Sequence, residues 1–510
     1  MKRSLCISLA LCLLLSFAGC GYDYSGYVPN GGGLATDTQP PTNPNQGEDQ
    51  LITLTYYKEK GLNPYLCADF TNRALLSLLY QGLFITSSSY ETTPVLCQSY
   101  TISRDGRTHT FTVDPTATFS NGAPVTPADV SASLKAAKSS AYYSGRMLHI
   151  TAIELPGDGT VVLRTDTEMK NLPILLDIPI VPANAVAEAF PMGSGPYTYQ
   201  TSAVGSYLEK RTNWWCTAAL PISTSAIPLM EATSISGIRD DFQFSGLDFA
   251  LTDPSSDRYV DYRCDFELWN CESGIFLYIG CNEDSLVFDS PAIRSALTYA
   301  IDRDSLSAKY YRGFGQSATL PASPLSPYYN KGLAGKYTYN AEKFAQAVQD
   351  NGKLNQTVVF LVNSDDSLRV RAGRAIAEML RSGGLLVEMK ELGGASYEKA
   401  IKNREFDLYL GMTRLSPNMD LTAFFHLKGA LSYGGIDDVA AYSLCLDALA
   451  DEGNYYTLHR TVMEQGLLCP VLFCNYAVYT TRGVFTALAP ARDNPFCYSI
   501  GKSMETLTPQ

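Results

Sequence analysis

The chain has 510 residues, 45% of them hydrophobic and 18% charged, with a formal net charge of −12. That length exceeds what a single hydrophobic core can serve, so two or more lobes are expected. An acidic balance without a basic stripe argues against nucleic acid as a partner and suits a solvated surface.

Residues 1–20 begin with Lys2 and Arg3, continue through an apolar run from Leu5 to Phe17, and end in Ala18-Gly19-Cys20. The run is too short to span a bilayer. A positive start and small residues before a cleavage point describe a signal peptide. The ending is similar to the lipobox of bacterial lipoproteins, with Phe17 where leucine is usual. That likeness implies a lipoprotein signal peptide over 1–19 and a lipidated Cys20 that anchors the chain to a membrane. Residues 20–50 are rich in Gly, Pro, Asn and Asp, hold few aliphatics, and read as a disordered tether.

LITLTYY at 51–57 alternates and predicts a strand. Leu75, Leu76, Leu78 and Leu79 give 72–82 helical spacing. Three local signals then crowd together. Over 108–113, threonines alternate with His109, Phe111 and Val113, which predicts a strand. Asn121-Gly122 favours positive φ and predicts a reversal. Thr126-Pro127-Ala128-Asp129 predicts a capped helix, with proline at the first helical position and Asp129 reaching back to the cap. A strand is expected at 161–163, a proline-broken apolar run at 174–186, and a turn into a strand at Gly195-Pro196-Tyr197.

Further on, 291–303 reads as a helix with Ile293, Leu297 and Ile301 on one face. Strand 358–362, helix 369–382 and strand 385–389 form the clearest βαβ-like unit, followed by a strand at 406–410. Strands and helices alternate without a clean repeat, so the body is α/β with mixed sheets.

Residues 119–130, FSNGAPVTPADV, resemble the signature of the bacterial extracellular solute-binding proteins of family 5, the peptide- and nickel-binding components of ABC importers. The likeness continues in Leu62-Asn63-Pro64, in LYQGL at 79–83, PVLCQSY at 94–100, GSGPY at 193–197, Asn213-Trp214-Trp215, and RSALTYAIDR at 294–303. Order and spacing hold over 51–500. The resemblance implies a two-lobed, periplasmic-binding-protein-like fold of type II with a hinge between the lobes, and strands at 245–252 and 276–282. Lobe I would take 51–270, with an extra subdomain at about 65–185. Lobe II would take 271–479, and 480–510 would return to lobe I. It implies a monomer outside the cytoplasm that works with ABC permease and ATPase subunits and captures a short peptide in the inter-lobe cleft. A metal chelate, an anionic metabolite, or a transport-inactive surface sensor are the alternatives.

Residues 411–425, GMTRLSPNMDLTAFF, resemble the family's cleft loop, Trp-x-x-Asp-x-x-Asp-Pro-x-x-Phe. In peptide binders of the family the first Asp of that loop holds the ligand's α-ammonium. Here Pro417 takes its place, Arg414 takes the place of the Trp, and Asp420 is the second Asp. Asp437 and Asp438 lie near enough in sequence to reach in. Arg414 can hold a carboxylate through paired hydrogen bonds, or can serve in a structural ion pair. Asn63, Arg414, Ser416, Asp420 and Tyr433 are the expected ligand-binding residues. Trp214 and Trp215 read as structural, after the family's Asn-x-Trp.

The four histidines, His109, His149, His426 and His459, stand apart in sequence. H-E-x-x-H, G-x-S-x-G and Walker-type loops do not occur, so neither an enzyme nor a cofactor or metal is expected. His426 is the one candidate toward nickel, and reads better as an exposed loop residue. Of thirteen cysteines, ten follow Cys20. An even number in an exported protein permits disulfides, while burial as small hydrophobes suits several of them.

Overall fold

The computed structural model describes residues 52–500 apart from 257, 427, 486, 487, 493 and 499. The leader, Cys20 and the tether lie outside the described residues.

Strand Thr108–Val113 forms as its alternation predicts, with His109, Phe111 and Val113 buried. It is the second strand of an antiparallel sheet in the order Cys97–Ile102, Thr108–Val113, Thr160–Thr165, Ile150–Glu154. The chain reverses at Gly122, whose φ is 83°, while Asn121 Oδ1 accepts the N–H of Ala123 at 3.0 Å. Thr126 then caps helix Pro127–Ser139. The Asp129 N–H donates to its hydroxyl at 3.4 Å, and Asp129 Oδ2 accepts the Thr126 N–H at 2.8 Å. The other Asp129 oxygen accepts the N–H of Ala183 at 2.8 Å and so ties the helix start to the proline-broken run.

A single helix over 72–82 does not form. Two short ones, Phe70–Arg73 and Leu76–Leu79, stand there instead. Asn72 is the cause at the first break: its buried amide donates to the carbonyls of Tyr57 at 2.8 Å and Gly61 at 2.7 Å and accepts the Tyr57 N–H at 2.7 Å, fastening this turn to the first strand. The second stops because the N–H of Gly195 donates to the Leu79 carbonyl at 2.9 Å. That first strand, Leu54–Tyr56, runs parallel to Ala226–Glu231, and Gly205–Lys210 and Tyr197–Ser202 complete a mixed four-stranded sheet.

The largest sheet is also mixed. Its order is Phe249–Thr252, Cys469–Thr480, Glu267–Cys281, Leu408–Arg414, Thr357–Asn363, Leu386–Leu392, with Gly315–Ser317 paired to Cys469–Thr480. Thr357–Asn363 and Leu386–Leu392 pair in parallel across helix Ser367–Ser382, which is the expected βαβ-like unit. The strand expected at 276–282 is much longer, running 15 residues from Glu267 to Cys281. Glu267–Asn270 pairs with the stretch of Cys469–Thr480 that also pairs Phe249–Thr252. Ile275–Ile279 stays paired to Cys469–Cys474, and Ile275–Cys281 also lies beside Leu408–Arg414 on its other edge. Between these halves the register breaks, from Glu272 to Ile275, and Gly274 takes φ 71°. Such a bulge bends and twists its strand.

One core fills the second lobe, with Ile293, Phe360, Ile376 and Val471 among its buried members. A larger one runs from Leu54, Phe111 and Tyr197 through Tyr278 to Phe424 and Tyr455, so the lobes are packed against each other. Among the described residues no helix is long and apolar enough to cross a membrane.

Candidate functional site

Arg414 ends the strand Leu408–Arg414 beside the bulge and points into the contact between lobes. Its Nη1 donates to the Ser273 carbonyl and to the Tyr142 hydroxyl, the latter at 3.2 Å, and its Nη2 donates to the Tyr476 hydroxyl at 3.0 Å. Its guanidinium carbon stands 4.7 Å from the centre of the Tyr142 ring, and that of Arg73 only 3.2 Å from the same centre. Arg73 is fixed in turn, donating to the carbonyls of Pro64 at 2.9 Å and Cys67 at 3.1 Å and to the Tyr143 hydroxyl at 2.8 Å. Two guanidinium groups against one aromatic ring gain cation–π attraction but repel each other, an arrangement that a nearby anion relieves.

Next to them lies a cavity of about 70 Å³, lined by Arg73, Tyr142, Tyr143, Arg146, Asp177 and Arg492 among others. That is room for a carboxylate group or a few waters. Asp177, paired with Arg146, is the acidic side chain among its lining residues. Arg492 donates to the Leu415 carbonyl, and the Leu415 N–H donates to the Gly274 carbonyl at 3.1 Å. Buried Glu272, on the other side of the bulge, accepts from the Tyr90 hydroxyl at 2.5 Å. Burial first, then the Glu272 charge, pushes the Tyr90 hydroxyl well above its usual pKa, with Arg492 opposing.

The remaining expected residues have other company. Asn63 is 2% exposed, and its amide is fully engaged: it donates to the carbonyls of Val186 at 3.0 Å and Glu188 at 2.7 Å and accepts the N–H groups of Tyr65 and Leu66. A buried amide with these partners acts as a loop staple. Ser416 donates to Asn418 Oδ1 at 2.6 Å. Tyr433 stands edge-on to Tyr409 with centroids 5.8 Å apart, and burial raises its hydroxyl. Asp420 accepts from the Thr422 N–H at 2.8 Å and hydroxyl at 3.0 Å and lies 3.1 Å from His149 Nε2. It is therefore tied down a loop turn from where the family's amine anchor would stand. Asp438 accepts the Ala441 N–H at 2.9 Å as the cap of helix Val439–Ala450.

Trp214 donates to the Ser194 carbonyl at 2.9 Å and Trp215 to Gln81 Oε1 at 2.9 Å, which suits the structural reading. His426 is exposed. Among the described residues no group of three or more His, Cys, Asp or Glu side chains could hold a metal ion. Sequence reasoning missed Arg73, Tyr142, Arg146, His149 and Arg492. No periodicity or spacing links them to Arg414; the basic and aromatic content of AYYSGR at 141–146 is the only local signal.

A two-lobed α/β body whose lobes share a sheet is the architecture of a periplasmic-type binding protein. The chain belongs to the bacterial extracellular solute-binding proteins, family 5, whose middle region matches residues 91–430. It is similar to the oligopeptide-binding protein AppA of Bacillus subtilis (strain 168), 24% identical over 319 residues, which cover 57% of this chain and 58% of AppA. It is also similar to the glutathione-binding protein GsiB of Salmonella typhi, 25% identical over 291 residues, covering 52% of this chain and 55% of GsiB. The chain thus spans little more than half the length of the curated relatives it matches. Its fold is that of the ABC transporter substrate-binding protein CtaP of Listeria monocytogenes, with a TM-score of 0.69 at 16% identity, covering 88% of this chain and 97% of CtaP.

Proposed function

We propose that this chain is the substrate-binding component of an ABC importer and that it holds a short peptide, or a peptide-like acid, by a carboxylate in the cleft between its lobes. The observation that carries this is the reversal of charge in the cleft loop. Pro417 stands where an amine-anchoring Asp would be, and Arg414 projects from the same loop onto Tyr142, beside a cavity lined by Arg73, Arg146 and Arg492. A planar guanidinium pairs well with a carboxylate, and a partly desolvated setting strengthens the pair. The names of the relatives, for oligopeptides and for glutathione, support a peptide-sized ligand.

The cycle is one of capture and closure. A ligand enters between separated lobes, the shared sheet bends, and closure buries the ligand, so that affinity differs between the two states. A membrane permease reads the closed state, and ATP is hydrolysed on other subunits. Lobe I takes 51–270 and 480–510 and lobe II takes 271–479. The signal peptide at 1–19 directs export and is removed, and the lipidated Cys20 with the tether at 20–50 holds a monomer at the outer face of the cell membrane.

Native mass spectrometry of the purified chain with ligand release tests this. Bound masses of short peptides or acids are expected, with C-terminally amidated peptides failing to replace them. A bound amine lacking any carboxylate overturns the charge reading. A chain that releases nothing, and gains none of the about 2.7 kcal/mol expected at a hundredfold excess over Kd from any peptide pool, overturns the importer reading.

A further inference from the structure

We propose that His149 is a bolt that holds the two lobes shut, with Asp420 and Thr422 as its socket. His149 belongs to the extra subdomain, between the turn Ser144–Met147 and the strand Ile150–Glu154, and is 7% exposed. Its Nδ1 lies 2.8 Å from Asp166 Oδ1 in the same subdomain. Its Nε2 lies 3.1 Å from Asp420 Oδ2 and 3.2 Å from Thr422 Oγ1, both in the cleft loop of the second lobe.

Each half is assembled within its own lobe. Asp166 aims the ring, and the Asp166 N–H also donates to the His149 carbonyl at 3.1 Å. Thr422 steadies Asp420 through its N–H and its hydroxyl. Of the His149 contacts named, those of Nε2 cross between lobes and that of Nδ1 does not, so opening breaks one end and leaves the other set for return. A second crossing contact supports the first. The Lys170 N–H donates to the Leu449 carbonyl at 3.2 Å, and Asn171 Nδ2 donates to the Tyr328 hydroxyl at 2.7 Å. Tyr328 in turn donates to Glu452 at 3.0 Å.

The charges facing the imidazole agree. Asp166 and Asp420 are the two carboxylates upon it. Tyr442 lies near both carboxylates, and Cys445 and Tyr455 near Asp420, from the helices Val439–Ala450 and Tyr455–Gln465. Burial raises the pKa of all three, so they stay neutral at pH 7. Burial alone would lower the His149 pKa, but the two carboxylates outweigh it and raise it from 6.5 to about 9. The bolt is therefore a charged imidazolium at pH 7, donating from both ring nitrogens, and it is lost as pH rises through about 9.

The test is small-angle scattering and hydrogen exchange on the purified full chain. In the wild type, a pH series from 7 to 10 is expected to raise the radius of gyration and to lower the protection factors at 418–425 about tenfold, once the intrinsic base-catalysed rise in exchange rate is divided out. His149→Gln and Asp420→Asn should show both changes already at pH 7, and His149→Lys, which keeps a cation, should restore the compact form. An unchanged radius and unchanged protection factors across the wild-type pH series overturn the bolt, with no variant required. So do His149→Gln and Asp420→Asn chains as compact and as protected as the wild type.

Discussion

Arg414 stands with its guanidinium carbon 4.7 Å from the centre of the Tyr142 ring, so the end of the strand Leu408–Arg414 is seated on an aromatic 272 residues earlier in the chain. If a ligand carboxylate pairs there, the planar fork matters as well as the charge. Arg414→Lys keeps a cation but gives up the paired donors and the stacking. Affinity for an acidic peptide is expected to fall by about 1.5–3 kcal/mol in that variant. Isothermal titration of both proteins with one released ligand checks this, and equal affinity would remove Arg414 from the site.

Stability is expected to decline on both sides of neutral pH, for opposite reasons. Burial lowers the pKa of His109 from 6.5 to about 4 and that of His459 from 6.5 to about 3. The unfolded chain takes up those protons first, so stability falls as pH drops below about 6.5 toward these values. His149 has the opposite sign. It binds its proton more tightly when folded, so its contribution is complete below 6.5 and is lost as pH rises through about 9. Thermal melting from pH 3 to 10 should show both limbs, and His149→Gln should flatten the alkaline one.

Neither ring nitrogen of His459 has a hydrogen-bond partner among the described residues, although the side chain is fully buried. Leucine in its place removes that penalty at little change in volume. His459→Leu is expected to raise stability by about 1–2 kcal/mol at neutral pH and by more at pH 5. Urea denaturation at the two pH values measures the difference; destabilisation at both would mean that the imidazole has a role its surroundings do not reveal.

Gly193 and Gly195 lie against the end of helix Leu76–Leu79. A Cβ on Gly193 would be driven onto the Leu79 carbonyl and the Tyr80 ring, and one on Gly195 onto the backbone of Leu78 and Leu79. Backbone on one side and a buried core on the other leave little room to yield. Gly193→Ala should cost about 1–3 kcal/mol. Gly122→Ala provides the contrast, because nothing crowds it and only its positive φ opposes the change. Chemical denaturation of the pair separates crowding from backbone strain.

All ten cysteines of the described residues carry free thiols, and seven of them are buried. Burial raises the thiols of Cys281 to about 12 and Cys469 to about 11, which keeps them protonated and unreactive. Iodoacetamide at pH 8 is expected to reach Cys216 and Cys264, which are partly exposed, well before the rest; Cys497 is partly exposed too, but burial raises its thiol to about 12 and slows it. Intact mass after timed labelling, with and without denaturant, counts them.

Local chemistry was legible in the sequence where a few neighbouring residues decide the outcome. The alternation of 108–113, the Thr126–Asp129 cap and the parallel pair flanking Ser367–Ser382 all form. The helix at 72–82 failed because Asn72 prefers the backbone of Tyr57 and Gly61, partners 11 and 15 residues away that no helical periodicity reveals. The strand Glu267–Cys281 was seen only in its second half, since its first residues lie half-buried without alternation. The candidate site was the least legible part. Arg414 stood out by its place in the cleft loop, but Tyr142 lies 272 residues away from it, and His149 lies 271 residues from Asp420. Spacing carries no information over such distances.

The bulge at Glu272–Ile275 has a mechanical consequence. Arg414 holds the Ser273 carbonyl, Leu415 holds that of Gly274, and a Cβ on Gly274 would strike the Arg492 guanidinium. The seat for a ligand and the flexure of the sheet are therefore one part. A tug on either guanidinium is transmitted to the bend through a single side chain and a peptide group. An occupant that immobilises those arginines damps the bending itself. Tightness of grip and ease of swing are thus coupled in this molecule, and a change at Gly274 would retune the two together.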